Sequence, residues 1–266
     1  MKTLNISIIL FVLALFCTKL CAQIYTPYTY TPQGLAVYYN IVEETATETE
    51  ILAYRRYLAT TYPRAILLED KTTTYNCHAY AWHMSEGGER CEMHSPLSYI
   101  DSRTPSYIPT SSNDLKGNKV IYFDGNNLPE HSAVVSTPSH YFISKWGTEG
   151  GLVKHPYYDC PYYDNVSLVY YKLTMEITGD EVVALSSTTS AVTRTYTLSN
   201  VPQDATVIWS VVGNASIISG QGSNAIQVLI NGSTTVVISA TVNCPTGITV
   251  DIPFNFALPI IIASSV

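Results

Sequence analysis

Tyr75-Asn76-Cys77-His78-Ala79-Tyr80-Ala81-Trp82 is the stretch on which the reading of the fold turns. It puts a cysteine in the first turn of a helix expected from about Asn76 to Met84, which Glu86-Gly87-Gly88 stops. Unsatisfied amides and the positive dipole end there favour thiolate over thiol, and the same amides can face a developing oxyanion. That is a nucleophile's position. The plainer alternative is a buried, inert or disulfide-bonded cysteine. Upstream, Thr47 and Glu50 form a capping-box pattern ahead of Ile51, Tyr54 and Leu58, so a first helix begins there and Pro63 ends it. Downstream, Cys91 to Asp114 reads as loop. Strands are then expected at Lys119–Phe123, His131–Ser136, His140–Lys145 and Val166–Leu173, giving helices first and an antiparallel meander after them.

Glu130-His131-Ser132-Ala133-Val134-Val135-Ser136 places His131 at the start of a strand, with Ala133 and Val135 on its own face. If the Cys77 helix packs on that face, His131 approaches the thiol as general base; otherwise it is a polar strand end. The third group depends on hairpin register. Pairing Ser136 with His140 puts Lys145 opposite His131, whereas pairing Ser136 with Tyr141 puts Trp146 opposite and Ser144 on the His131 face. Ser144 would orient the imidazole by accepting its N–H, so it is the favoured third residue; Lys145 would repel the imidazolium. Asn76 is a candidate oxyanion donor or simply a helix cap. His155 is a cleft candidate if the loop that carries it folds back.

A cysteine opening a helix, followed by a strand-initiating histidine and another strand, resembles the papain-like cell-wall hydrolases of the NlpC and CHAP amidase kind. The runs Ser144-Lys145-Trp146-Gly147, Gly151-Leu152-Val153-Lys154-His155 and Cys160-Pro161-Tyr162 look like an exported bacterial branch of that superfamily. The resemblance covers roughly residues 60 to 173. It departs from the pattern at Asn76, where many relatives have Asp, and at the third polar position, which shows Ser or Lys. It implies an α+β papain-like domain at 23–173 and cell-wall peptide as the substrate class. The mechanism expected of such a site has the Cys77 thiolate attack an amide carbonyl, helix amides hold the oxyanion, His131 protonate the leaving amine and water release the acyl group.

Beyond Leu173 the texture changes. All six His and two of the three Trp precede it, whereas the region from Met175 to Leu258 holds short strand candidates at Val182–Leu185, Arg194–Leu198, Ala205–Val212, Ile226–Ile230, Thr235–Val242 and Ile248–Phe256. Their spacing with turn residues between them indicates a β-sandwich. Tyr196-Thr197-Leu198-Ser199-Asn200-Val201-Pro202, followed by Ile208-Trp209-Ser210-Val211, resembles the Ig-like or PKD-like modules that bacterial surface and secreted proteins append to catalytic domains. Trp209 would fill the inter-sheet core. The expected role of residues 174–266 is a spacer or a contact with a surface polymer, with no catalysis.

The 266 residues suffice for about one to two domains. Only 13% are charged and 46% are hydrophobic, which excludes a highly charged disordered chain. A net charge of -7 leaves no basic patch for nucleic acid. Lys2, the apolar run Ile6–Phe16 and Leu20-Cys21-Ala22 have the layout of a secretory leader at 1–22, so the mature chain is expected to start near Gln23, secreted, periplasmic or cell-surface, with no membrane span. Cys77, Cys91, Cys160 and Cys244 then remain, and two structural disulfides are the plain expectation in an oxidising compartment. No cofactor is called for. Cys77 and His83 lie about 240° apart on a helix and cannot chelate together, and a zinc site from His83, Cys91 and His94 departs from the usual ligand spacing, so no metal is assigned. The function expected is an exported cysteine amidase or endopeptidase on cell-wall peptide. The alternatives are an inactive surface or adhesion protein and a secreted effector or toxin acting on protein.

Overall fold

The computed structural model describes residues 27–111, 116–180, 191–231 and 235–255. The leader at 1–22 and the strand candidate Val182–Leu185 lie outside the described residues.

The chain is built mostly of strands, and the expected α+β papain-like arrangement does not hold. Two α-helices occur among the described residues: α1 (Glu48–Thr61), of 14 residues, and α2 (Cys77–Trp82), of six. The capping box of α1 forms as read, with the Thr47 hydroxyl accepting from the Glu50 amide and the Glu50 carboxylate accepting from the Thr47 amide. The second helix is shorter than expected. It stops at His83, and a 3-10 turn (Met84–Glu86) ends on Gly87 with φ 85. Short segments rich in Tyr, Val, Ile and Thr, given no strand role in the sequence reading, become strands instead: β1 (Tyr28–Tyr30), β2 (Ala36–Asn40), β3 (Ile66–Glu69), β4 (Glu92–Met93), β5 (Tyr107–Thr110) and β9 (Leu152–Pro156). They join the expected meander of β6 (Lys119–Phe123), β7 (Pro129–Ser136), β8 (Tyr141–Lys145) and β10 (Ser167–Leu173).

The result is a seven-stranded antiparallel sheet, β3-β9-β8-β7-β6-β10-β5, with a three-stranded sheet β1-β2-β4 beside it. Alternation sends side chains to two cores. On one face Val120, Tyr122, Ala133, Val135, Phe142 and Val153 pack with Leu58 of α1, Trp146 and Cys160. On the other, Ile121, Val134 and Tyr171 pack with Ala79, Ala81 and Trp82 of α2, and with Met93 and Tyr107. The body of α2 therefore covers the Val134 face of β7, not the Ala133 and Val135 face that the sequence reading assigned to it.

The C-terminal region is a sandwich of two antiparallel sheets. One has the order β11 (Glu176–Thr178), β12 (Ala191–Ser199), β15 (Ala225–Asn231), β14 (Ala215–Ser219); the other is β13 (Thr206–Val212), β16 (Val237–Asn243), β17 (Thr249–Asn255). Trp209 is buried between them, as expected, and its indole N–H donates to the Ser223 carbonyl at 2.8 Å. The expected disulfides are not present: Cys77, Cys91, Cys160 and Cys244 are all free thiols. Cys91, Cys160 and Cys244 sit in three different apolar clusters. Among the described residues no helix is long and apolar enough to cross a membrane.

Candidate active site

Asn76 caps α2. Its side-chain oxygen accepts from the Ala79 amide at 3.0 Å and the Met93 amide at 3.3 Å, while its NH2 donates to the Met93 carbonyl at 2.8 Å. These bonds fix where the helix starts and use the amide oxygen and one of its two N–H groups. Cys77 follows at the first helical position, only 6% exposed.

His131 comes to it from β7. Between β6 and β7 the register jumps from Tyr122↔His131 to Phe123↔Pro129, leaving Glu130 as an extra residue. A bulge of this kind bends the strand and re-aims the side chain beside it. The strand is held against α2 by a buried polar chain. Trp82 Nε1 donates to Ser132 Oγ at 3.0 Å, and Ser132 Oγ lies 2.8 Å from His78 Nδ1. The other ring nitrogen of His78 donates to the Pro129 carbonyl, so Nδ1 is the acceptor and Ser132 the donor. Every polar atom of that chain is used, and it grips β7 one residue beyond His131.

The thiol and the imidazole are close enough to shift each other's titration. Burial pushes the Cys77 thiol up, but the His131 charge, its hydrogen-bonding capacity and the amides of Ser132 and His78 bring it to a net value below the ordinary thiol range. Burial lowers His131, and Cys77 opposes that shift. Neither His131 nitrogen makes a hydrogen bond of full geometry, so the pair is in proximity without a closed bond, as is common in unliganded sites. The Tyr162 ring stacks on the imidazole at 3.9 Å between centroids and 11° between planes. The histidine beneath is 0% exposed.

The remaining predicted residues lie elsewhere. The β7–β8 pairing is Ser136↔Tyr141 and runs to Val134↔Ile143. Ser144 nevertheless does not orient His131. Its hydroxyl lies 2.8 Å from His155 Nε2. His155 Nδ1 lies 2.9 Å from the Pro156 carbonyl and must carry the proton there, so Nε2 accepts from Ser144. His155 is a buried residue of β9, packed between Phe142 and Trp146, and not part of an open cleft. The zinc candidates do not converge: His83 stacks on Tyr39, His94 pairs with the Asn40 side chain and Cys91 is in the core. Among the described residues no group of three or more His, Cys, Asp or Glu is placed to hold a metal.

Two neighbours of the pair were not foreseen in their roles. Tyr162 covers the imidazole, and its only sequence trace is the Cys160-Pro161-Tyr162 run. Lys145 turns away from His131, and its ammonium donates to the carbonyls of Thr72, Gly147 and Thr148 at 2.9, 3.0 and 3.3 Å. Its trace is a lysine within the otherwise uncharged run Tyr141–Trp146.

Fold and site together define a β-rich domain carrying a buried thiol–imidazole pair, followed by an Ig-like module. Residues 172–253 match the family model of the PKD-like domain, which supports the Ig-like character of the C-terminal sandwich. No curated protein matches the chain.

Proposed function

We propose that the protein is an exported cysteine hydrolase acting on amide or peptide bonds, with Cys77 as nucleophile and His131 as its general base and acid. The observation that carries this reading is the meeting of two residues from distant elements: the thiol is lowered by the imidazole and faced by the Ser132 and His78 amides. In the reaction His131 takes the thiol proton as sulfur attacks the carbonyl, then delivers it to the departing amine; water opens the thioester, again with His131 as base. Cell-wall peptide is the substrate class we assign, the leader-like layout of residues 1–22 makes the compartment extracytoplasmic, and the PKD-like module is a spacer or surface-polymer contact.

A second reading, a surface protein without catalysis, is favoured by the burial of the pair beneath Tyr162 and by the lack of a third residue on the imidazole. Iodoacetamide labelling of Cys77, followed site by site by peptide mass mapping, separates the two. The hydrolase reading expects fast alkylation near pH 7 that falls about tenfold in His131→Ala, in line with general-base contributions of about 100-fold or more to turnover. It also expects amine release from purified wall peptide that Cys77→Ala abolishes. Equal, slow labelling of both proteins overturns it in favour of the second reading.

A further inference from the structure

Two lysines of the first domain are buried in contrasting ways. Lys119 has a carboxylate, Glu86, at 3.3 Å and the Ser85 hydroxyl at 2.6 Å. Lys145 is 0% exposed, yet among the described residues no carboxylate lies within ion-pair distance of it. Three main-chain carbonyls saturate its three N–H groups, and the Tyr75 ring lies 5.1 Å from its nitrogen. It is hydrogen-bonded but not neutralised, and a buried cation in that state is costly. A hydrophobic residue would fill the space without that cost, so the charge calls for an anion.

Burial lowers Lys145 to about 8; the charges of Cys77, Glu69 and Glu44 act against that shift, and Lys71 adds to it. Both carboxylates are committed elsewhere. Glu69 pairs with Arg90 at 2.7 Å and accepts from the Tyr75 hydroxyl at 2.9 Å, and Glu44 accepts from the Thr72 hydroxyl and from Thr73. Cys77 has the amides of Ser132 and His78 and the His131 imidazole, which burial holds below its ordinary range, but among the described residues no ammonium or guanidinium paired with it. Lys145 moreover grips Thr72 and stands over Tyr75, the strand of backbone that leads directly into the cysteine, while tying it to the 147–148 turn beyond β8.

We propose that Lys145 is the fixed counter-charge of the Cys77 thiolate, a positioning residue that holds the approach to α2 and stabilises the ionised sulfur through space. The proposal deepens the cysteine-hydrolase reading and rests on it for its purpose, but its test needs no substrate. The pH dependence of Cys77 alkylation is followed in the full chain, where the other titrating groups around the sulfur are His131 and Tyr162, with His78 and His155 behind the imidazole. Lys145→Met is expected to raise the midpoint of thiolate formation by about one pH unit, leaving about tenfold less thiolate at any pH below both midpoints, whereas Lys145→Arg keeps most of it. A merely structural lysine would change stability and leave that midpoint in place.

If Lys145→Met fails to fold, the reciprocal measurement decides. Coupling between two sites acts equally on both. In Cys77→Ala the titration of Lys145, read from its ε-carbon resonance by NMR, is expected to fall, because the anion that supports the ammonium is gone. An unmoved Lys145 midpoint overturns the proposal, as does an unmoved Cys77 midpoint in a folded Lys145→Met protein. If His131→Ala has no effect on labelling while Lys145→Met does, the hydrolase reading fails and the counter-charge stands.

Discussion

His78 and His155 show what burial does to a histidine that hydrogen-bonds as a neutral ring. Each is nearly or fully inaccessible, each donates one N–H to a carbonyl and accepts from a serine hydroxyl, and desolvation holds each at about 4. The unfolded chain takes up those protons near pH 6.5, whereas the fold refuses them until about 4. Between those values the unfolded state binds more protons, so stability is complete above about pH 6.5 and is lost as pH falls, by up to about 3 kcal/mol for each ring at the acid end. Urea midpoints measured from pH 7 to 4 are expected to fall, and His155→Gln to flatten that limb by about one proton. A limb unchanged by the substitution would place the acid sensitivity elsewhere. Glu44 and Asp101, lowered to about 2 from ordinary values of 4.5 and 3.8, lose their contribution as pH falls from about 5, so they add to the acid end of this limb. At the same scale the candidate site was partly legible. Cys77 and His131 could be read from a cap and a strand start. Ser144 could not, because its hydroxyl is captured by His155 from a strand that the sequence reading did not assign.

At the scale of elements, what sets the pair is the junction of α2 with β7. Trp82, Ser132 and His78 form one polar chain inside an apolar cluster, and the hydroxyl at its centre serves two rings. Ser132→Ala leaves the Trp82 N–H and a His78 nitrogen unpaired in the core. The expected cost is about 2 to 4 kcal/mol, more than the loss of one ordinary hydrogen bond. Because that chain is next to His131, Cys77 labelling should slow as well; a variant that loses stability but labels as wild type would separate the grip from the site. The hairpin register behind this geometry was one of two read from the sequence, and Ser136↔Tyr141 is the one adopted. The papain-like expectation failed for a different reason. It rested on a cysteine opening a helix and a strand-initiating histidine after it, but α2 spans only six residues, while β1 to β5 and β9, two- to five-residue segments, make the domain mostly strand. Strands that short display too few alternations to be told from loop, and only their partners in the sheet make them strands.

For the whole molecule the question is whether the two halves unfold together. The C-terminal sandwich has its own core, with Trp209, Tyr196, Ile226, Val228, Ile238 and Val242 all buried inside it. Its links to the first domain include exposed hydrogen bonds, such as Gln33 Nε2 to the Asn200 carbonyl at 2.7 Å and Asn200 Nδ2 to the Thr174 carbonyl at 2.8 Å, the approach of β17 to the Met84–Glu86 turn, and Leu173 packed against a cluster on each side. Exposed bonds of this kind contribute about 1 kcal/mol or less each, whereas deleting a buried tryptophan costs about 3 to 5 kcal/mol. The cores therefore dominate the link, and calorimetry is expected to resolve two transitions. Trp209→Ala should lower one of them and leave Cys77 labelling at the wild-type rate, while Ser132→Ala lowers the other. If Trp209→Ala instead exposes Cys77 to rapid labelling within a single transition, Leu173 and its neighbours bind the halves into one cooperative unit, and the PKD-like module supports the site as well as presenting it.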